Sequence, residues 1–231
     1  MKFESLISGK ILKRYKRFLA DIELEDGEVV TAHTANTGSM KTCWEPGWDV
    51  LVSYHDDPKR KLKYSLQMTH NGDSWIGVNT GLPNKLAVEA IKDGTIKELA
   101  DYDDIRPEVK IGKSRIDLLL TKGEKKCYVE IKNVTLKDAP GSCSFPDSVS
   151  TRGQKHLQEL SELMDENTEA AMLYIVQRED VKEFHPAADI DPTYARLLEE
   201  AHSKGVQVLV YQCELTPSEI KIAKPLKWKL S

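Results

Sequence analysis

The sequence predicts a protein of mixed α/β (α+β) class, a small β-barrel over residues 1–82 followed by an α/β domain over residues 83–231. Three observations lead there. The first eighty or so residues read as short strands separated by turns, with no strong helix among them. The character then changes at Thr80-Gly81-Leu82-Pro83. Beyond it, helical and strand patterns follow in the order helix, three strands, helix, strand, helix, strand.

In the first part, Leu6 to Leu12, Phe18 to Leu24 and Val29 to His33 are predicted strands, with Glu25-Asp26-Gly27-Glu28 as a hairpin turn. Val50 to Tyr54, Lys63 to Thr69 and Trp75 to Val78 continue the pattern, punctuated by Pro46-Gly47 and Asn71-Gly72-Asp73. Such a succession suits a barrel of the OB type. Phe18 is expected in its core.

In the second part, Asn84 is placed to cap a helix running through Ile91. Strands follow at Glu108 to Ile111, Ile116 to Leu120 and Cys127 to Ile131. Ser150 or Thr151 caps a helix carrying Leu157, Leu160, Leu163 and Met164. Ala171 to Val176 is almost wholly apolar, as buried strands are. Asp191-Pro192 starts a third helix, Gly205 ends it, and Val206 to Tyr211 is a further buried strand.

Composition narrows the function classes. At 231 residues, 40% hydrophobic and 30% charged, the chain suits one large or two modest soluble domains. No apolar stretch approaches the roughly 20 residues that cross a bilayer, and the opening residues lack a signal-peptide core. A cytoplasmic location without a membrane partner is expected. The cysteines, Cys43, Cys127, Cys143 and Cys213, form no C-x-x-C pair and are expected to be reduced and structural. The net charge of −4 argues weakly against nucleic acid, but the distribution of the cations argues for it. Lys10, Lys13, Arg14, Lys16 and Arg17 lie close together, as do Lys59, Arg60, Lys61 and Lys63. Phosphate binding depends on local potential. Interleaved rings such as Tyr15 and Tyr64 can stack on bases. A charged edge strand is the competing reading of these clusters.

The most informative stretch runs from Arg115 to Lys132. Alternation puts Glu130 and Lys132 on one strand face, with Val129 and Ile131 on the other. If Gly123-Glu124 is a two-residue hairpin loop, glycine first as a type II′ turn prefers, Asp117 falls opposite Glu130. Two like charges in apolar surroundings are costly unless compensated. A divalent cation, Mg²⁺ or Mn²⁺, bound by Asp117 and Glu130 is the economical explanation, with Lys132 stabilising charge on a phosphate or positioning water. The alternative is an ordinary cross-strand Lys–carboxylate pair.

This arrangement resembles the PD-(D/E)xK nuclease superfamily, in which an acidic residue on one strand and E-x-K on the next bind the metal. Further segments stand out along the chain: Asn36-Thr37-Gly38-Ser39-Met40, Asp57-Pro58-Lys59-Arg60-Lys61, Val78-Asn79-Thr80-Gly81-Leu82-Pro83-Asn84, Ser114-Arg115-Ile116-Asp117-Leu118-Leu119, Val129-Glu130-Ile131-Lys132-Asn133-Val134-Thr135, Phe145-Pro146-Asp147 and Arg152-Gly153-Gln154-Lys155-His156-Leu157. Through them the whole chain resembles the sugar fermentation stimulation protein A family of bacteria and archaea. One departure is His33-Thr34-Ala35-Asn36, where the family usually has Cys-Pro before the asparagine. The resemblance implies an OB-like domain, a restriction-endonuclease-like αβββαβ domain, DNA binding with little sequence preference, and a regulatory part in sugar (maltose) metabolism.

Secondary candidates surround this set. Gln154 shares a helix face with Leu157 and is a candidate to support the metal or phosphate; a polar first helical turn is the competing reading. His156 reads as structural or phosphate-contacting. Glu89, Glu108 and Asp147 are further carboxylates, each weaker. Asn36 to Lys41 lacks P-loop spacing and reads as a structural loop. Three functions remain open: a DNA-binding regulator with a nuclease-like scaffold, a Mg²⁺- or Mn²⁺-dependent nuclease acting on DNA or RNA, and a small-molecule sensor. Nucleic acid, with DNA the favoured form, is the expected partner.

Overall fold

The structure, a computed structural model, describes residues 1–112 and 114–230. Its first six strands are β1 (Ile7–Tyr15), β2 (Leu19–Leu24), β3 (Val29–His33), β4 (Asp49–Tyr54), β5 (Tyr64–His70) and β6 (Trp75–Gly77). They lie in the order β3-β2-β1-β4-β5-β6, and a β3–β5 pairing closes the sheet into a barrel. Period-two alternation fills it: Ile11, Ala20, Ile22, Val30, Val50, Val52 and Leu66 point inward. Phe18 does not join them. It sits in the β1–β2 turn, 45% exposed, because Lys16 and Arg17 adopt left-handed backbone angles there and turn the chain before the inward parity resumes at Ala20.

The remaining elements are α1 (Pro83–Lys92), β7 (Asp104–Ile111), β8 (Ser114–Lys122), β9 (Lys125–Val134), β10 (Leu136–Ala139), β11 (Gly141–Phe145), α2 (Thr151–Leu163), β12 (Thr168–Val176), β13 (Val181–Pro186), α3 (Pro192–Ser203), β14 (Gln207–Thr216), β15 (Glu219–Pro225) and β16 (Lys227–Trp228). A short 3-10 turn spans Lys97–Leu99. The main sheet runs β15-β14-β12-β9-β8-β7. β12 is parallel to both of its neighbours, which explains why its sequence is apolar nearly throughout. Ala171, Leu173 and Ile175 pack with α1 on one face; Ala170, Met172, Tyr174 and Val176 pack with α2 and α3 on the other.

The caps are local in origin. Ser150 Oγ accepts the Gly153 N–H at 3.1 Å, and an Asp191 carboxylate oxygen accepts the Tyr194 N–H at 2.9 Å. A second sheet, β10-β11-β13-β16, occupies sequence that reads as loop. Its strands are short, and β11, Gly141–Phe145, carries small polar residues that give no strand period.

The barrel and the main sheet meet over apolar and polar contacts. Leu51 and Met68 of the barrel join the cluster containing α1. Gly77 N–H donates to the Gln177 carbonyl at 2.9 Å. The guanidinium of Arg178, 1% exposed, donates to Asp180, to the Thr135 carbonyl at 2.6 Å and to the Thr42 carbonyl at 3.3 Å. Among the described residues no helix is long and apolar enough to cross a membrane.

Candidate functional site

The site begins with the β8–β9 hairpin. Gly123 has φ +58°, and the register pairs Lys122 with Lys125 and Leu118 with Val129. Continuing that register by one position sets Asp117 opposite Glu130. Regular pairing stops there. The β8–β9 ladder ends at Leu118–Val129, and the β7–β8 ladder omits the Glu108–Asp117 pair between Pro107–Leu118 and Val109–Ile116. Glu108, across from Asp117, is in the left-handed region at φ +54°, a strained conformation for a non-glycine residue. The sheet is thus opened on both sides of Asp117.

Two groups hold the Asp117 carboxylate in this opening. The Ile131 N–H donates to Oδ2 at 2.8 Å, and Asn84 Nδ2 donates to Oδ1 at 3.0 Å. Asn84 is therefore not the cap of α1. Leu82 occupies the cap position without a side-chain bond, and Pro83 makes the first turn without needing one. The proline-first start instead frees Asn84 to reach the neighbouring strand.

Glu130 is 3% exposed, on the sheet face toward α2 and α3. Its Oε1 accepts from Lys132 Nζ at 2.7 Å and is bonded to His156 Nδ1. Its Oε2 is buried and has no hydrogen-bond partner among the described residues. Burial pushes the Glu130 carboxyl up, but the contacts with His156 and Lys132 outweigh it and hold the group below its ordinary range. Asp117 goes the other way: burial first, and then the charge of Glu130, raise its pKa. The two carboxylates therefore sense each other across the hairpin.

This donor set suits a hard divalent cation. Two carboxylates supply oxygen ligands, and the orphaned Oε2 is an acceptor that such a cation satisfies. Among the described residues no three His, Cys, Asp or Glu side chains form a preformed cage. Mg²⁺ does not require one, since it commonly keeps several waters and binds through one or two carboxylates.

Other candidates lie elsewhere. Gln154 is turned away from Glu130: its Nε2 donates to Asp191 at 2.9 and 3.1 Å, bracing the start of α3. The buried stripe of α2 is Gly153, His156, Leu157 and Leu160, so His156 takes the position expected of Gln154. That i, i+3, i+4, i+7 spacing was available in the sequence as a signal. Glu89 is half exposed and pairs with the N-terminal ammonium, while Glu108 is exposed and pairs with Arg115 at 2.8 Å. Asp147 accepts from Ser39 N and Oγ at 2.9 and 3.0 Å, tying the 36–40 loop to the second domain.

The barrel cations divide into three groups. Arg14 donates to the carbonyls of Arg17, Asn36 and Gly38, and Arg17 to that of Thr37. They hold the 36–38 loop in place. Lys13 pairs with Asp21 at 3.2 Å, Arg60 donates to Ser65 at 2.9 Å, and Lys63 pairs with Asp56 at 3.4 Å. Lys16, Lys59 and Lys61 are exposed. β1 pairs with β2 from Gly9 to Tyr15 but with β4 only from Ile7 to Lys10, so the stretch from Lys13 to Tyr15 keeps an open edge, as the competing edge-strand reading of the first cluster expects.

Residues 12–78 match the family model described as the SfsA N-terminal OB domain, and residues 81–219 the one described as the sugar fermentation stimulation protein RE domain. The sugar fermentation stimulation protein homolog of Geobacter sulfurreducens is 49% identical over 222 residues, covering 96% of this chain and 95% of that protein. The homolog of Maricaulis maris is 49% identical over 234 residues, covering 100% of both. Among solved structures, that of Pyrococcus furiosus SfsA in complex with Ca²⁺ superposes with a TM-score of 0.88 at 26% identity, covering 99% of this chain and 98% of that one. A two-part match over nearly the whole length, with full-length relatives at this identity, means that the chain belongs to the sugar fermentation stimulation protein (SfsA) family.

Proposed function

We propose that the protein binds nucleic acid, DNA in preference, with little sequence selectivity, and hydrolyses its phosphodiester bonds with a divalent cation held by Asp117 and Glu130. The observation that carries this reading is the buried, unpartnered Oε2 of Glu130 beside a second carboxylate that is charge-repelled and held in an opened sheet. A purely structural pair has no need of either cost. The archaeal relative in complex with Ca²⁺ adds support. Four free, buried cysteines suit a reducing cytoplasm.

When bound, Mg²⁺ or Mn²⁺ supplies Lewis acidity toward a phosphoryl oxygen and lowers the pKa of water. The chain's own residues do the rest. Asn84 and the Ile131 N–H fix the direction of Asp117. His156 fixes Glu130, leaving Oε2 as the ligand atom. Lys132 places a positive charge where negative charge develops on the phosphate, or orients the attacking water.

A second reading keeps nucleic-acid binding and drops cleavage, in line with the stimulation of sugar fermentation for which the relatives are named. It is favoured by one observation: Lys132 and His156 already compensate Glu130 without a metal. The deciding experiment incubates wild type and Asp117→Ala with single- and double-stranded DNA and RNA under Mg²⁺, Mn²⁺ or EDTA. Cleavage by wild type alone, abolished by EDTA, supports the enzymatic reading. Intact substrates throughout leave a binding protein only.

A further inference from the structure

Glu130 stands between two depressions of the surface. Its neighbour Lys132 lines a cleft of about 270 Å³ shared with Asn36, Thr37 and Gly38 of the barrel. Its other neighbour, His156, lines a broader depression of about 630 Å³. The remaining walls of that depression are Ser114, Arg115, Thr151, Arg152 and Lys155. It has cations on several sides and no carboxylate in its lining, in a chain whose net charge is −4. Arg115 and Lys155 pair with Glu108 and Glu159 at the rim, at 2.8 and 3.2 Å. Arg152 is exposed and has no partner among the described residues.

In the barrel clusters Arg14 and Arg17 are committed to loop carbonyls and Lys13, Arg60 and Lys63 to neighbouring side chains, which leaves Lys16, Lys59 and Lys61 as the exposed cations. What distinguishes Arg152 and Lys155 is that they line one depression with His156, the partner of Glu130. A strand whose scissile phosphate reaches Glu130 must place its adjacent phosphates within a few ångströms, since phosphates repeat about every 3.4 Å of axis per strand in a duplex.

We propose that the Arg115–Arg152–Lys155 depression is the track for the sugar-phosphate backbone, so that nucleic acid crosses the start of α2 on its way to Glu130 instead of lying across the basic stretches of the barrel. This rests on the nuclease reading of the same site. Phosphate contacts here position the strand and carry no sequence information, which accounts for low sequence selectivity.

The test is binding of a short fluorescein-labelled oligonucleotide, single-stranded and duplex, by anisotropy across a salt series in Ca²⁺. Arg152→Ala/Lys155→Ala is expected to weaken binding about tenfold or more. The salt slope should fall by about 2, since each lost phosphate contact removes roughly 0.9. Lys224→Ala/Lys227→Ala removes equal charge elsewhere and should stay within about twofold. Arg152→Glu guards against a folding artefact, because an acidic residue in a first helical turn favours the helix; it should weaken binding further while the melting temperature holds. If both α2 variants bind with wild-type affinity and slope while wild type still cleaves, the track is elsewhere and the nuclease reading survives. If wild type binds neither form of DNA, both fall.

Discussion

Arg178→Met tests the junction that holds the barrel against the main sheet. The substitution keeps an apolar stem of similar length and removes every guanidinium donor. Lost are two parallel bonds to Asp180 at 2.7 and 2.8 Å, the bond to the Thr135 carbonyl at 2.6 Å and the weaker ones to Thr42. Asp180, its side chain 7% exposed, retains Lys137 Nζ at 2.8 Å and Asn71 Nδ2 at 2.9 Å. Breaking a buried ion pair costs about 3–5 kcal/mol, and two surviving partners put the loss near the lower end, about 3 kcal/mol. For a chain of this size that lowers Tm by about 6–12 °C. The effect has a pH signature. Burial pushes Asp180 up, but Arg178 and Lys137 outweigh it and hold the carboxyl well below the usual range. A carboxylate depressed in the folded state contributes stability above its unfolded pKa, about 3.9, and loses it as pH falls toward the folded value. The gap between wild type and Arg178→Met should be full at neutral pH and shrink below about pH 4. Urea unfolding at neutral pH and near pH 3 measures it. Equal stabilities at neutral pH, or a gap unchanged in acid, would refute the assignment of this pair as the junction's anchor.

The remaining expectations concern the site. Asp117→Asn should abolish Mn²⁺ binding by calorimetry, yet in EDTA at neutral pH it should be at least as stable as wild type, because a carboxylate whose folded pKa is raised opposes folding once pH exceeds both values. A variant that binds Mn²⁺ like wild type would remove Asp117 from the ligand set. Lys132→Ala should retain most nucleic-acid affinity and lose turnover, since its charge matters most as charge develops on the phosphate; cutting at the wild-type rate would exclude it from the chemistry. Lys132→Arg is no substitute control, because a guanidinium differs in shape and does not deprotonate near neutral pH. Asn84→Ala should weaken cation affinity about 10–100-fold while leaving the fold intact, as loss of a group that orients a ligand does; unchanged affinity would mean that the Ile131 N–H alone suffices.

What the sequence determined by itself is what short-range geometry controls. A two-residue loop at Gly123-Glu124 and a side-chain period of two place Asp117 across from Glu130, and put Glu130 and Lys132 on one face, whatever the rest of the chain does. The caps Ser150 and Asp191 bond within three residues, and the apolar run of β12 reports burial on both faces. The tertiary structure decided what depends on helix phase and on partners distant in the chain. Gln154 and His156 are two residues apart, and the docking of Leu157 and Leu160 against the core turned His156 toward Glu130 and Gln154 toward Asp191. Arg14 reads as a phosphate ligand until the 36–38 loop folds over it, and Arg178 has only Asp180 as a local partner, while its partners at Thr42 and Thr135, which make it a junction, lie far away in sequence. A long cationic side chain bonds whichever carbonyl or carboxylate the fold delivers, and only packing settles which one that is.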